Sequence, residues 1–157
     1  MVQITQVITA ADVATIRVLL REYQVQLGVD LDFQGFEGEL AALPGAYAPP
    51  HGRLLLATHD GAPVGCAALR DAGAGRAEMK RLYVRAQARG LGVGKRLVER
   101  IVAEARGAGY AEIVLDTLPS MAAAQRLYEQ LGFRDIPAYN ASPIAGTRFL
   151  GRSLATP

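Results

Sequence analysis

The sequence predicts an α/β (α+β) fold in which an antiparallel strand meander is followed by strand–helix units. Three short runs rich in β-forming residues lie close together, at Arg53–Thr58, Val64–Leu69 and Glu78–Val84. A glycine-rich loop, Gln87–Arg96, then opens a stretch with helical periodicity. The continuous apolar run Ile113–Leu115 is of the kind that the interior of a sheet requires. Together these three observations indicate a mixed sheet with helices packed against it.

The N-terminal part is expected to contain two helices and the first hairpin. Apolar residues recur at helical spacing over 10–27, and Gly28 follows as a stop signal. A shorter helix is expected near 35–43, before a series of prolines that no helix could cross. Asp60-Gly61 predicts a tight turn between the first two strands of the meander. The glycines of Asp71–Gly75 predict the next turn.

The C-terminal part is expected to alternate helices with strands. The helix after the glycine loop has a buried stripe that repeats every four residues and ends near Gly107, formed by Val93, Leu97, Ile101 and Ala105. Pro119 suits the first turn of another helix, and Gly132 suits its C-terminal cap. Short strands are expected around Phe133–Ile136 and Thr147–Leu154.

Composition describes one ordinary globular domain spanning residues 1–157. The chain has 157 residues, of which 50% are hydrophobic, with 17 basic and 15 acidic side chains. A chain of this length buries about 68–70% of its unfolded surface, so it needs no disulfide or metal to hold a core. The sequence lacks a membrane-length apolar run and the features of a signal peptide. We therefore expect a cytoplasmic protein, a monomer or homodimer, without a membrane partner.

Several classes of chemistry lack their signatures. His51 and His59 have no C-x-x-C or H-E-x-x-H motif to complete a ligand set, so no metal is expected. Cys66, the single cysteine, is expected to be a small buried hydrophobe. No G-x-S-x-G elbow supports a serine hydrolase. The net charge of +2 makes a nucleic acid a poor partner.

Charge is unevenly distributed along the chain. Residues 22–52 contain no Lys or Arg, whereas they include Glu22, Asp30, Asp32, Glu37 and Glu39. Residues 76–100 are basic, with eight Lys or Arg side chains (Arg76, Lys80, Arg81, Arg85, Arg89, Lys95, Arg96 and Arg100) against two glutamates. This segregation fits an anionic ligand beside a cationic one, and it equally fits two solvated faces.

The glycine-rich loop has the properties of an anion site. A helix N-terminus offers backbone N–H groups without partners, and glycines let the main chain approach a phosphate closely. The Walker pattern fails because Arg89 stands where its first glycine belongs and Arg96 follows Lys95 in place of Ser or Thr. The dinucleotide pattern G-x-G-x-x-G also fails, at Lys95 or Leu97. The pattern Q/R-x-x-G-x-G/A is satisfied, both from Gln87 and from Arg89.

In that pattern the sequence resembles the GNAT superfamily of N-acetyltransferases, whose acetyl-CoA pyrophosphate loop lies between a strand and a long helix. The order of segments supports the resemblance: E-M-K-R-L-Y-V (78–84), the loop, G-Y-A-E-I-V-L-D-T (109–117) and A-Q-R-L-Y-E-Q-L-G-F (124–133). The close match covers residues 78–133. It implies the GNAT fold, with a mixed sheet of about seven strands, splayed parallel strands four and five, and about four helices.

The resemblance also implies the residues that hold acetyl-CoA. The cofactor arm would lie along the fourth strand and the pyrophosphate would meet the loop. The implied set is Leu82, Tyr83, Val84, Gln87, Arg89, Gly90, Leu91, Gly92, Val93, Gly94, Lys95, Arg96 and Ser120. Ser120 is included as a substitute, because the asparagine that many relatives place there is missing from Thr117 to Ser120.

Direct attack of an amine on the thioester, in a ternary complex, is the implied mechanism. Tyr128 matches the family's tyrosine and would protonate the departing thiolate, since a phenol with a pKa of about 10 is protonated at neutral pH. Tyr128 also fits the apolar stripe of its helix, so a packing role is the alternative. Glu78 occupies the position of a catalytic glutamate, although a surface or structural pair with Lys80, or deprotonation through water, would fit as well.

The acceptor is expected to be a primary amine of a small molecule. Carboxylates beside aromatic rings suit a cationic amine, and Arg81 or Lys80 could hold a substrate carboxylate. The candidate acceptor residues are Tyr23, Asp30, Asp32, Phe36, Arg81 and Tyr139, although the acids could equally be solvated and Phe36 could be core. A protein lysine or N-terminal acetyltransferase and a non-catalytic acyl-CoA sensor are the alternative functions.

Overall fold

The computed structural model describes residues 1–155, apart from the side chain of Phe33. Its strands are β1 (Val2–Gln6), β2 (Arg53–His59), β3 (Ala62–Gly73), β4 (Arg76–Val84), β5 (Glu112–Thr117), β6 (Arg134–Asp135) and β7 (Arg148–Ser153). Its α-helices are α1 (Ala10–Leu27), α2 (Phe36–Ala42), α3 (Val93–Gly107) and α4 (Ala122–Gln130). The strands form one sheet in the order β1-β2-β3-β4-β5-β7-β6, in which only β4 and β5 are parallel. The predicted mixed fold is confirmed.

The sheet has a hydrophobic cluster on each face. The α1–α2 face buries Ile16, Leu20 and Phe36 against Leu54 and Leu56. The opposite face buries the predicted stripe of α3, together with Tyr128 of α4, against alternate residues of the same strands. Because successive residues of a strand point to opposite faces, each central strand contributes to both clusters.

Most turns follow from local sequence. Asp60 and Gly61 have φ values of 51° and 85°, as a two-residue hairpin turn with two positive φ angles requires. Gly28 adopts a left-handed conformation that ends α1 at the predicted residue.

Three local expectations need correction. β3 runs to Gly73, so the turn predicted over Asp71–Gly75 occupies only its end. α4 begins at Ala122, and Pro119 belongs to a preceding turn in which the Met121 N–H bonds to the Leu118 carbonyl. β1 was not predicted from the residues; it is a short edge strand in which only Val2 is buried, so it carries little hydrophobic signal.

A bulge in β4 determines which side chains reach the centre of the molecule. Cys66 pairs with Tyr83 and Ala68 pairs with Lys80, so two residues of β4 oppose one residue of β3. Arg81, one of the two, has a φ of 62°. The prediction that Glu78, Lys80, Leu82 and Val84 share one face is therefore wrong beyond Lys80. Leu82 and Val84 pack with the α3 cluster, as Met79 does.

The parallel strands β4 and β5 separate after a short ladder. They pair only at Arg76–Glu112, Ala77–Ile113 and Glu78–Val114, while β5 continues to Thr117 beside β7. The rest of β4 is paired with β3 on one side, and on the other side it pairs with none of the strands described. This separation opens a cleft at the carboxyl ends of both strands, where open α/β sheets bind ligands.

Candidate active site

The first part of the candidate site is the loop that enters α3. Gly92 is the N-cap of α3 and has a φ of 74°, and Gly90 has a φ of 88°. The first hydrogen bond of the helix joins the Arg96 N–H to the Gly92 carbonyl at 3.1 Å. The N–H groups of Val93, Gly94 and Lys95 precede that bond, so they are free to meet a ligand.

The space around this loop fits a phosphate. A Cβ added to Gly90 or Gly92 would meet no protein atom within 4 Å, so the open side of the loop can admit a ligand. Gly94 differs, because its added Cβ would meet Leu127 Cδ2 at 3.5 Å and Val84 Cγ2 at 3.8 Å. Gly94 thus permits close packing of α3 as well as offering an amide.

The basic side chains around the loop separate into two groups. Arg89 and Lys95 are exposed, and among residues 1–155 neither forms an ion pair. The Arg96 guanidinium instead donates to the Val2 carbonyl of β1 at 2.9 Å. The structure therefore leaves Arg89 and Lys95 to attract an anion and places the side chain of Arg96 elsewhere.

The second part is the free edge of β4. Leu82 and Val84 are half-buried on the α3 face, while Tyr83 lies on the α1 face, where its hydroxyl donates to Glu22 Oε1 at 3.1 Å. Gln87 and Leu91 are exposed between this edge and α3. Main-chain groups on such an edge can pair with the amides of an extended ligand, much as an added strand does.

The third part is the cleft between β4 and β5. Its walls include Lys80 and Leu82 from β4, Asp116 from β5, Tyr128 from α4 and Tyr23 from α1. Gln34, Met121 and Ser142 close other sides of it. The cleft thus combines an apolar lining with a few convergent polar groups, as small-molecule sites do.

Tyr128 places a buried phenol in the wall of this cleft. Its side chain is 3% exposed and packs against Phe133, with ring centroids 5.8 Å apart. Its hydroxyl has no hydrogen-bond partner within the described part of the chain. Burial raises the pKa of Tyr128 above its ordinary value, so the phenol keeps its proton across the physiological range. The Tyr128 ring therefore packs in the hydrophobic core, while its hydroxyl stays available for a hydrogen bond to a ligand.

Arg81 and Phe36, both predicted to meet the acceptor, are engaged within the protein. Arg81 donates from Nε and Nη2 to both carboxylate oxygens of Glu39, at 2.9 and 2.8 Å. Its guanidinium also lies 5.0 Å from the centre of the Phe36 ring, which is fully buried. Although Arg81 borders the cleft, its charge is satisfied by Glu39, so it does not offer a free cation to a substrate.

Glu78 is held in a buried network of its own. Its Oε1 accepts from Arg70 Nε at 2.8 Å, and its Oε2 accepts from the Tyr139 hydroxyl at 2.7 Å. The side chain is 2% exposed and does not line the cleft. The alternative of a pair with Lys80 does not hold, since Arg70 is the ion-pair partner of Glu78. Tyr139 is likewise committed to Glu78 and to an edge-to-face contact with Phe149.

The remaining predicted residues lie in different places. Tyr23 faces the cleft and packs edge-on against Tyr83. Asp30 and Asp32 are exposed, and the Asp30 carboxylate accepts from the Asp32 N–H at 2.9 Å, so they form a turn outside the cleft lining. Ser120 is exposed in the turn before α4. Thr117, two percent exposed, carries a buried hydroxyl without a partner in the described residues.

Asp116 was missed as a site residue. It is half-buried in the cleft wall; its Oδ2 accepts from the Asn140 amide at 3.0 Å, whereas Oδ1 accepts no hydrogen bond from residues 1–155. A usable signal existed, because Asp116 is the first charged residue after Ile113–Leu115, at the carboxyl end of a parallel strand.

Two ion pairs across the fold join the segments of opposite charge. Besides Arg81 with Glu39, Arg85 pairs with Glu22, joining the basic and acidic segments. Within residues 1–155, no group of three or more His, Cys, Asp or Glu side chains is arranged to hold a metal ion. None of the helices described is both long enough and apolar enough to traverse a bilayer.

Comparisons with known proteins agree with this geometry. The profile described as "Acetyltransferase (GNAT) family" matches residues 17–133. An uncharacterized N-acetyltransferase of Schizosaccharomyces pombe is 38% identical over 151 residues, covering 95% of this chain and 93% of that protein. An IAA acetyltransferase of Azospirillum brasilense is 43% identical over 89 residues, covering 56% and 58%.

Solved structures agree on the fold. A GNAT-family acetyltransferase of Staphylococcus aureus superposes with a TM-score of 0.82 at 22% identity, covering 99% of this chain and 100% of that one. An N-acetyltransferase of Thermoplasma acidophilum in complex with coenzyme A gives 0.76 at 17% identity, covering 98% and 99%.

Proposed function

The chain belongs to the acetyltransferase (GNAT) family, and from that premise we propose that it transfers the acetyl group of acetyl-CoA to the primary amine of a small molecule, by direct attack in a ternary complex. A single domain spanning residues 1–157 would carry the reaction. The observation that supports the proposal best is the available hydroxyl of Tyr128 in the cleft where β4 and β5 separate. A cytoplasmic location stays a prediction.

The chain offers two matching surfaces for the cofactor. The free amides of Val93, Gly94 and Lys95 suit the diphosphate, with Arg89 and Lys95 adding positive charge. The free edge of β4 suits the amides of the pantetheine arm, which would bring the thioester end to the cleft. Acetyl-CoA supplies the acetyl group in activated form, as a thioester.

The chain's own contribution to the chemistry is proton placement. Tyr128 Oη holds a proton inside the cleft, where it can be given to a sulfur leaving group. The attacking amine must be neutral, and the proton that it loses needs an acceptor in the same cleft. Asp116 lines that cleft, whereas both oxygens of Glu78 are already bonded. We therefore assign the base to Asp116 or to water beside it and assign Glu78 to structure.

The test is release of free thiol from acetyl-CoA in the presence of polyamines, amino acids, aminoglycosides or short peptides. The proposal predicts thiol release with at least one small amine, together with acetyl-CoA binding by calorimetry. Turnover with peptides alone would favour a protein acetyltransferase. Binding of acetyl-CoA without turnover of any acceptor would favour a sensor, and absence of binding would contradict the cofactor site.

A further inference from the structure

The cleft contains a cation, Lys80, that forms no ion pair within residues 1–155. Three arginines on or beside β4 are each paired with a carboxylate: Arg70 with Glu78, Arg81 with Glu39 and Arg85 with Glu22. Lys80 differs from them. Its Nζ contacts the neutral Gln34 Oε1 at 3.4 Å, and among residues 1–155 it has no carboxylate oxygen within 4.0 Å.

The nearest acid in the sequence does not neutralise Lys80. Glu78, two residues earlier on the strand, gives both oxygens to Arg70 and Tyr139. Lys80 is nevertheless half-buried in the cleft wall, and burial, assisted by the charge of Arg81, lowers its pKa, although the charges of Glu78 and Asp116 partly oppose the shift. Burying an ammonium group without a counter-ion in contact is unfavourable, so an anionic ligand at this position would stabilise it.

A negative group lies on another wall of the same cleft. Asp116 has one carboxylate oxygen free of protein partners, as described above. Lys80 and Asp116 therefore present opposite charges to one space, and Tyr128 borders that space as well. A neutral amine or a simple polyamine would satisfy Asp116 and leave Lys80 without a partner.

We propose that the acceptor carries a carboxylate beside its amine, as an amino acid does, with the carboxylate on Lys80 and the amine directed to Asp116. The proposal rests on the acetyl transfer proposed above and names its acceptor class. The diphosphate of the cofactor is not an alternative partner for Lys80 in this arrangement. Its site is the entrance of α3, beyond Val84 at the far end of β4.

The test compares acceptors with and without the carboxylate, and each rate is corrected for the neutral fraction of the amine, because an amino acid amide has a lower amine pKa than the amino acid. Thiol release from acetyl-CoA is measured with the common L-amino acids and with the corresponding L-amino acid amides. The native protein is expected to favour the best amino acid over its amide by roughly 10- to 100-fold in kcat/KM, the value of one charge-assisted contact. Equal rates for acid and amide, or turnover of polyamines alone, would overturn the inference while leaving acetyl transfer intact.

Variants test whether Lys80 causes the preference for the amino acid over its amide. Lys80→Met is expected to abolish the preference for the acid, and Lys80→Arg to retain part of it. Arg106→Met, at an exposed cation at the end of α3, is the matched control for loss of charge and should keep the preference. Thermal unfolding and acetyl-CoA affinity report whether each variant is folded. A folded Lys80→Met protein that still prefers the acid would overturn the inference; failure of every protein to bind acetyl-CoA would instead contradict the proposed function.

Discussion

The polar groups along β4 form two contrasting regions. In the structural region, the Glu78 carboxylate accepts hydrogen bonds from Arg70 and Tyr139. The Glu39 carboxylate accepts two from Arg81. In the cleft region, Tyr128, Lys80 and Asp116 each keep a polar group that no partner within residues 1–155 fully satisfies. The contrast teaches that a buried charge beside a cleft is not by itself a functional residue. The polar group that the fold leaves available is the better candidate.

The largest expected effect is on the cleft region. Tyr128→Phe removes the proton donor but keeps the ring packed on Phe133, so turnover should fall by about 10²–10⁴-fold while acetyl-CoA affinity stays nearly constant. The raised pKa of Tyr128 further predicts that the phenol stays protonated between about pH 7 and 10, so native turnover should not fall through loss of this proton in that range. Steady-state kinetics and calorimetry measure both quantities. Unchanged turnover in the variant would remove Tyr128 from the mechanism.

The next effect is on the structural region. Glu39→Gln leaves the Arg81 guanidinium, 3% exposed, without its counter-ion. The free energy of unfolding should fall by about 3 kcal/mol, since breaking a buried pair strands a charge. Urea denaturation measures the change. Loss of less than about 1 kcal/mol would mean that the pair behaves like a surface salt bridge.

The same carboxylate predicts a pH dependence of stability. Burial alone would raise the pKa of Glu39, but hydrogen bonds and charge from Arg81 outweigh it, so the pKa is lowered from 4.5. A carboxyl whose pKa is lower in the folded state stabilises the protein above its unfolded pKa. That stabilisation is lost as the pH falls below about 4.5 towards the folded value. Urea midpoints should decline more steeply with acid in the native protein than in Glu39→Gln; parallel curves would contradict the assignment.

A smaller effect separates the two interpretations of Glu78. In Glu78→Gln the Tyr139 contact can persist and Arg70, which is 44% exposed, can turn to water. Unfolding free energy should fall by about 1–2 kcal/mol, and turnover by less than tenfold. Denaturation and thiol release on the same preparation give both numbers. A fall in turnover comparable with that of Tyr128→Phe would restore Glu78 as the base.

The stability effect at Gly92 has a matched conformational control. Gly92 and Gly28 have φ values of 74° and 65°, and an added Cβ at either would meet nothing within 4 Å. Substitution by alanine should therefore lower the free energy of unfolding by a similar amount at each position, about 1–2 kcal/mol. Only Gly92→Ala should also weaken acetyl-CoA binding, because its Cβ enters the space offered to the diphosphate. Equal affinity in both variants, measured by calorimetry, would contradict the loop assignment.

Much of the fold could be predicted from the sequence because short-range chemistry determines its turns and helix faces. Gly28, Asp60-Gly61 and the apolar spacing of α3 each determine a turn or a face by short-range chemistry. The glycine loop was predictable for the same reason. Pairing between distant segments was not, since the sequence cannot show that Arg81 reaches Glu39 or that Tyr139 reaches Glu78. The acceptor residues depend on such distant pairing, so their role stays a prediction.

Strand alternation was predicted well only where β4 is regular. Counting by twos placed Glu78 and Lys80 together, but it failed after Arg81, whose left-handed conformation nothing in its residue type suggests. Asp116, by contrast, could have been found from its position after a buried strand.

The extra residue in β4 adds a buried cation without changing the two faces of the strand. Deleting Arg81 would let β3 and β4 pair without interruption, and Met79, Leu82 and Val84 would stay on one side, because Lys80 would then directly precede Leu82. A chain shortened by that single codon would therefore keep its hydrophobic interior and lose the guanidinium that pairs with Glu39. The bulge thus places a charge next to the cleft, and the sheet itself does not require it.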